Sequence, residues 1–87
     1  MPEEIEDGKL IGKMTHYFGD IGVAVIGLLD DLKTGDNIRV IGGDTDFEQV
    51  VGSMEVEHEK VEKAKKGDSV GLKVSEKVRD GYRVYKI

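Results

Sequence analysis

Cysteine and tryptophan are absent from this 87-residue chain, and proline occurs once, at Pro2. Without cysteine there is no disulfide and no thiolate metal site, and the sequence carries no signal of redox compartment. The lack of proline beyond Pro2 frees the body of the chain from the residue that most hinders central strands. No apolar run approaches the roughly 20 residues that a membrane-spanning helix needs. The first seven residues, Met-Pro-Glu-Glu-Ile-Glu-Asp, are acidic and so unlike a secretory or transit peptide. Positive charge is also in short supply: 13 Lys and Arg stand against 18 Asp and Glu, for a net charge of −5. That balance argues against a protein whose main task is gripping nucleic-acid phosphate, although a local basic patch could still do so. These absences lead us to expect a cytoplasmic monomer with no membrane association.

What the chain does have is charge, glycine and short β-type runs. Charged residues make up 36% of the sequence, against about 25% in an average domain. The dominance of lysine and glutamate resembles hyperthermophile composition. At this length one domain is expected, with a core that must be closed efficiently. The twelve glycines fit a chain with many tight turns.

The organising stretch is Lys65-Lys66-Gly67-Asp68-Ser69-Val70-Gly71-Leu72-Lys73-Val74, a lysine-rich turn that passes at once into a strand. Gly67 can supply a positive φ, while Asp68 and Ser69 can bond local backbone amides. Gly71 inside the strand suggests a sharp bend or a close backbone approach. Lys33-Thr34-Gly35-Asp36-Asn37-Ile38 opens an earlier strand with the same chemistry; no other internal repeat and no low-complexity segment stands out.

In chain order, residues 1–7 read as a flexible acidic tail, with Ile5 pinned to the body, and residues 8–87 as a single domain. A first strand is expected over Lys9–Phe18, a doubly apolar one over Val23–Leu29, and further strands over Asn37–Ile41, Phe47–Val56, Ser69–Val74 and Tyr82–Ile87. The outer side of Val23–Leu29 must be covered by chain or exposed for a partner. Gly52 suggests a bulge in the fourth strand. Val61 and Ala64, three apart among charges, suggest one short helical turn between His58 and Lys66. Leu10, Met14, Val25, Val40, Met54, Val70, Leu72 and Val84 are expected to point into one core. The fold class is all-β, a six-stranded closed Greek-key-type barrel, because closure removes vulnerable edges.

Three segments then stand in order: Ile11-Gly12-Lys13-Met14 through Val23-Ala24-Val25-Ile26, Leu32-Lys33-Thr34-Gly35-Asp36-Asn37-Ile38, and Ala64-Lys65-Lys66-Gly67-Asp68-Ser69-Val70-Gly71-Leu72. Together they resemble the second, β-barrel domain of the translational GTPases such as elongation factor Tu, over nearly everything after Asp7. The chain looks like the stand-alone translation-factor-like barrels of archaea and some bacteria. It is also similar to the barrel appended to collagenase-like peptidase-family proteins, some of which act in RNA modification. There is no G-x-x-x-x-G-K-[ST] loop, so GTP and GDP are not expected to bind.

In elongation factor Tu the aminoacylated 3′ end of tRNA docks on this domain. Carried over by motif, the resemblance implies contacts at Phe18–Gly22 and Glu57–Ser69. Tyr17, Phe18 and His58 would offer stacking surfaces, and Lys60, Lys63, Lys65 and Lys66 would meet phosphate. These residues are expected to form one aromatic and basic patch. Arginine, common in the first turn of that family, is absent here, and Asp20 brings the opposite charge. The alternative places Phe18 in the core and leaves the lysines as a solvated face paired with Glu57, Glu59 and Glu62. His16 and His58 lack any ligand spacing typical of metal sites. No nucleophile-and-base pair is visible, so no catalytic, cofactor or metal residues are assigned. The functional expectation is a non-catalytic module contacting tRNA-like RNA or a protein of translation or RNA modification. Its alternative is a purely structural or protein-interaction module without RNA contact.

Overall fold

The computed structural model describes residues 8–87; the expected acidic tail at 1–7, with Ile5, lies outside them. Ten strands occur in the order β1 (Lys9–Phe18), β2 (Val23–Leu28), β3 (Leu32–Lys33), β4 (Asn37–Gly42), β5 (Thr45–Val50), β6 (Met54–Val56), β7 (Glu59–Val61), β8 (Lys63–Ala64), β9 (Ser69–Lys73) and β10 (Arg83–Lys86). Eight of them form one antiparallel sheet in the order β5-β4-β10-β1-β2-β9-β6-β7, and β3 pairs with β8 in a separate two-stranded ladder. The class is therefore all-β, as expected. The six strands expected become ten, and among the described residues no ladder joins β5 to β7.

The sheet curls because its inward side chains meet in a single cluster. Ile11 and Met14 from β1, Ala24, Ile26 and Leu28 from β2, Ile38 and Val40 from β4, Phe47 from β5, Met54 from β6, Val70 and Leu72 from β9 and Val84 from β10 are all buried together. Leu32 and Ala64, opposite one another in the β3–β8 ladder, plug the same core. Burying such side chains contributes roughly 1.5–3 kcal/mol each, and among the described residues no polar or charged side chain is buried with them.

One link spans the gap between the free β5 edge and the chain after β9. The Gln49 side-chain amide donates to the Lys73 carbonyl at 2.8 Å and accepts the Ser75 N–H at 2.9 Å. A carboxamide carries one acceptor and donor hydrogens in nearly the geometry of a peptide group, so Gln49 stands in for a residue of ladder.

The two Gly-Asp turns are bonded alike. Asp36 N–H donates to the Lys33 carbonyl at 3.2 Å, and the Asp36 carboxylate accepts the Lys33 N–H at 3.0 Å. In the second turn the same two bonds join Asp68 and Lys65, at 2.9 and 3.0 Å. Gly35 and Gly67 take φ of 92° and 94°, which a side chain would strain. Each corner is then tied to the end of another strand in the same way. Gly35 donates to the Val51 carbonyl while Val51 N–H donates to Asp36; Gly67 donates to Leu28 while Leu28 N–H donates to Asp68. An approximate two-fold relation therefore sets β4 beside β5 and β9 beside β2.

Several local expectations change. Leu10 and Val25 are only half-buried. A register shift at Leu10/Gly12 puts Ile11 in the core, because a bulge resets the two-residue alternation, while the regular alternation of β2 buries Ala24 and Ile26 and leaves Val25 on the outer face opposite His16. The expected strand over Phe47–Val56 is two strands, β5 and β6, separated at Val51–Ser53 around Gly52. The helical turn expected between His58 and Lys66 is a β-hairpin instead. Val61 pairs with Met54 and Ala64 with Leu32, with a bend at Glu62 between them. Their three-residue spacing reflects that bend, not a helical period. Among the described residues no helix is long and apolar enough to cross a membrane.

Candidate macromolecule-binding groove

Along β2, residues alternate between core and surface, so Val23 and Val25 face outward while Ala24 and Ile26 face in. Opposite Val25 in β9 stands Gly71, which on its other side pairs with Glu55 of β6. A Cβ at Gly71 would lie 3.6 Å from the Val23 side chain, an ordinary contact, and its φ is not in the positive region. No close backbone approach therefore demands this glycine. What it does is keep the floor low between β2 and β6.

The result is a groove of about 470 Å³ lined by Phe18, Ile21, Val23, Val25 and Gly71, with Glu55, Glu57, His58, Ser69 and Lys73 among its polar walls. One end is set by the β1–β2 loop. Ile21 and Gly22 both donate to the Phe18 carbonyl, at 3.2 and 2.9 Å, and Val74 N–H donates to Gly22 at 3.0 Å, clamping the loop against the end of β9. Phe18 and Ile21 are held there 46% and 60% exposed. The Phe18 ring also meets His16 on the same strand face, with centroids 4.5 Å apart and planes tilted by 55°.

The opposite lip is the β6–β7 hairpin. Val56 and Glu59 close its ladder, leaving Glu57 and His58 as a two-residue loop with φ of 53° and 69°. Such a loop needs positive φ at both positions and favours Asn-Gly. Glutamate and histidine pay for that conformation, on the order of 1 kcal/mol each, and strained non-glycine positions gather at functional sites. Here both side chains line the groove.

Of the residues picked from the sequence, Phe18 and His58 do come together at this groove. Tyr17 does not; it packs against the core from the face opposite Phe18. The lysines go elsewhere. Lys60 stands directly across from Glu55 in the β6–β7 ladder, Lys66 is an exposed turn residue, and Lys63 and Lys65 line a second depression with Lys33. The single aromatic and basic patch is thus split: Lys60 shares a face with Glu55 on the β6–β7 hairpin, while Lys63 and Lys65 follow the bend at Glu62 to the β3–β8 ladder and its corner. The groove's charged walls are Glu55, Glu57 and Lys73, which sum to −1 with histidine neutral. Phe18 is not a core residue either, so the alternative reading of its position is also set aside. Val23, Val25, Gly71, Glu55 and Lys73 were missed. Their signal was the doubly apolar run 23–29, whose second face had no assigned cover. Among the described residues no group of three His, Asp or Glu is placed to hold a metal ion.

The groove and sheet define a small all-β domain with one open, partly apolar outer face. No family model matches the chain. A protein of Methanocaldococcus jannaschii named as an uncharacterized protease is 47% identical over 76 residues, which is 86% of this chain but 19% of that protein. Two crystal structures of the C-terminal domain of a protein assigned as a U32 peptidase, from Geobacillus thermoleovorans, superpose with TM-scores of 0.86 and 0.84 at 20% identity. The first covers 90% of this chain and 99% of the solved domain, the second 88% and 90%. At that identity the likeness establishes the fold alone. The likenesses agree with the peptidase-appended barrel among the resemblances drawn from the motifs. They do not carry the identification with the second domain of elongation factor Tu.

Proposed function

We propose that this chain is a non-catalytic binding module, an accessory to proteins of the U32 peptidase type, and that its groove takes the end of a single RNA strand. The carrying observation is that Phe18 and His58, drawn from sequence-distant turns, share one groove with the apolar floor of Val23 and Val25. A ring and an apolar floor suit a base face, worth roughly 1–3 kcal/mol per stacked base. The acidic walls select the kind of RNA contact. Glu55 and Glu57 repel a phosphate backbone running past them but accept hydrogen bonds from ribose hydroxyls, so a terminal nucleoside fits better than a continuous strand. The non-catalytic reading is supported by the likeness to a C-terminal domain of a U32 peptidase, one part of a larger protein.

Docking of a polypeptide, with no RNA contact, is the second reading. It is favoured by Ile21, an exposed aliphatic residue at the groove mouth beside two carboxylates. An NMR titration of the full chain at low salt with a single-stranded oligonucleotide bearing a free 3′ end separates the two. Shifts at Phe18–Gly22, Val25, His58 and Gly71 that vanish when the 3′-terminal ribose hydroxyls are blocked are expected. Silence in those residues with RNA, together with shifts on adding a basic apolar peptide, would replace the RNA reading with the polypeptide one.

A further inference from the structure

The β3–β8 ladder carries an arrangement that nothing in the groove explains. Lys33 and Lys63 stand directly opposite one another across it. Like charges at directly opposed positions of an antiparallel pair are destabilising. Neither lysine has an ion-pair partner among the described residues, and neither does Lys65, which lines the same depression of about 630 Å³. Lys86 completes the group from β10.

Three aspartates also line the depression, but two of them are already engaged. Asp36 accepts the Lys33 N–H at 3.0 Å and lies 3.6 Å from Lys86 Nζ. Asp68 accepts the Lys65 N–H at 3.0 Å. Their carboxylates hold the two corners in shape and so face their own turns. Asp31, the third, is exposed. Four lysines against three aspartates leave the depression at +1 on a chain of net charge −5.

We propose that this depression is a phosphate-binding site, in which Lys33 and Lys63 clasp one phosphate group and Lys65 bears on it from the adjoining turn. An anion between the opposed ammonium groups turns their repulsion into two attractive contacts. Ammonium groups bind phosphate as point charges without the fixed fork of arginine, so flexible, solvated lysines suffice. The site does not depend on the groove: the two adjoin only where Asp68 lines one and Ser69 the other.

The test is an NMR titration of the full chain with inorganic pyrophosphate at low ionic strength, followed by a short single-stranded oligonucleotide. Saturable shifts are expected at Lys33, Thr34, Lys63, Lys65 and Lys86, with none at Val25 or Gly71. The double variant Lys33→Gln, Lys63→Gln should bind pyrophosphate roughly tenfold more weakly and keep its melting temperature, since exposed charges add little stability. Saturation by both probes assigns the site to phosphate of a nucleic-acid strand, and by pyrophosphate alone to a free phosphate compound. Absence of saturation at pyrophosphate concentrations on the order of 10 mM would overturn the proposal. So would equal shifts at Lys13 and Lys77, or shifts unchanged in the double variant. Loss of the groove response to RNA with this site intact would count against the function proposed above and leave the phosphate site standing.

Discussion

The two Gly-Asp corners launch strands that match on the inside and differ on the outside. After Asp36, Ile38 and Val40 point into the core; after Asp68, Val70 and Leu72 do the same. The residue between each pair faces outward, and there the halves part. In β4 it is Arg39, flanked by Glu48 and Tyr85 and doubly bonded to Asp46 at 2.8 and 2.7 Å. In β9 it is Gly71, flanked by Val25 and Glu55 with nothing above it. One half of the approximate two-fold fills its outer face with a guanidinium and a buried tyrosine, and the other leaves a groove. The scaffold is shared, and a single outward position decides whether a face is sealed or open.

Equal inward roles predict equal losses. Val40→Ala and Val70→Ala, which delete the same two carbons from fully buried sites, should each destabilise by about 2–3 kcal/mol, measured by denaturant unfolding. A loss in one corner much smaller than in the other would break the two-fold comparison at its base. Next in size is Gly71→Val. Its Cβ would meet Val23 at ordinary contact distance and its methyl groups would rise into the open groove, so stability should change by less than about 1 kcal/mol, while occupancy of the groove should fall at least roughly tenfold in titrations with its ligand. Tight binding by this variant would show that Gly71 does not define the open face.

A smaller effect is expected at the groove lip. Replacing Glu57-His58 by Asn-Gly supplies the residues that its turn geometry favours and should stabilise by about 0.5–1 kcal/mol, seen as a higher melting temperature. If His58 contributes a stacking face, ligand binding weakens in the same protein. The smallest effect belongs to the sealed face. The hydrogen bond from Arg39 holds the Asp46 carboxyl below its ordinary value of 3.8. A depressed folded-state pKa gives stability that is present above 3.8 and lost as pH falls through the folded value. Acid titration of stability should therefore show a slight extra loss below about pH 3.8 that disappears in Asp46→Asn.

Much of the inward pattern was legible because it rests on strand period and glycine chemistry. Met14, Val40, Met54, Val70, Leu72 and Val84 are buried as their alternation predicts, and both Gly-Asp corners adopt the positive φ that their glycines permit. Leu10 was misplaced since a bulge leaves no mark in composition, and Val25 because β2 is apolar on both faces, so its pattern does not say which of Ala24 and Val25 points inward. The hairpin at residues 54–61 was hidden for a different reason. Its turn is Glu-His, which carries none of the usual turn signal, so the charged stretch read as helical. The meeting of Phe18 with His58 followed from motif positions. The apolar floor between them needed the order β2-β9-β6, which no local pattern encodes.

Gln49 has a kinetic consequence. The ladders of β1 with β2 and of β4 with β5 rest on runs of paired backbone, whereas Gln49 joins β5 to residues 73 and 75 through one side chain. A join made by one side chain opens without disrupting any ladder. The Ser75 amide should accordingly exchange its hydrogen with solvent far sooner than the amides of β2, and the seam beside β5 should be the first part of the domain to part under stress.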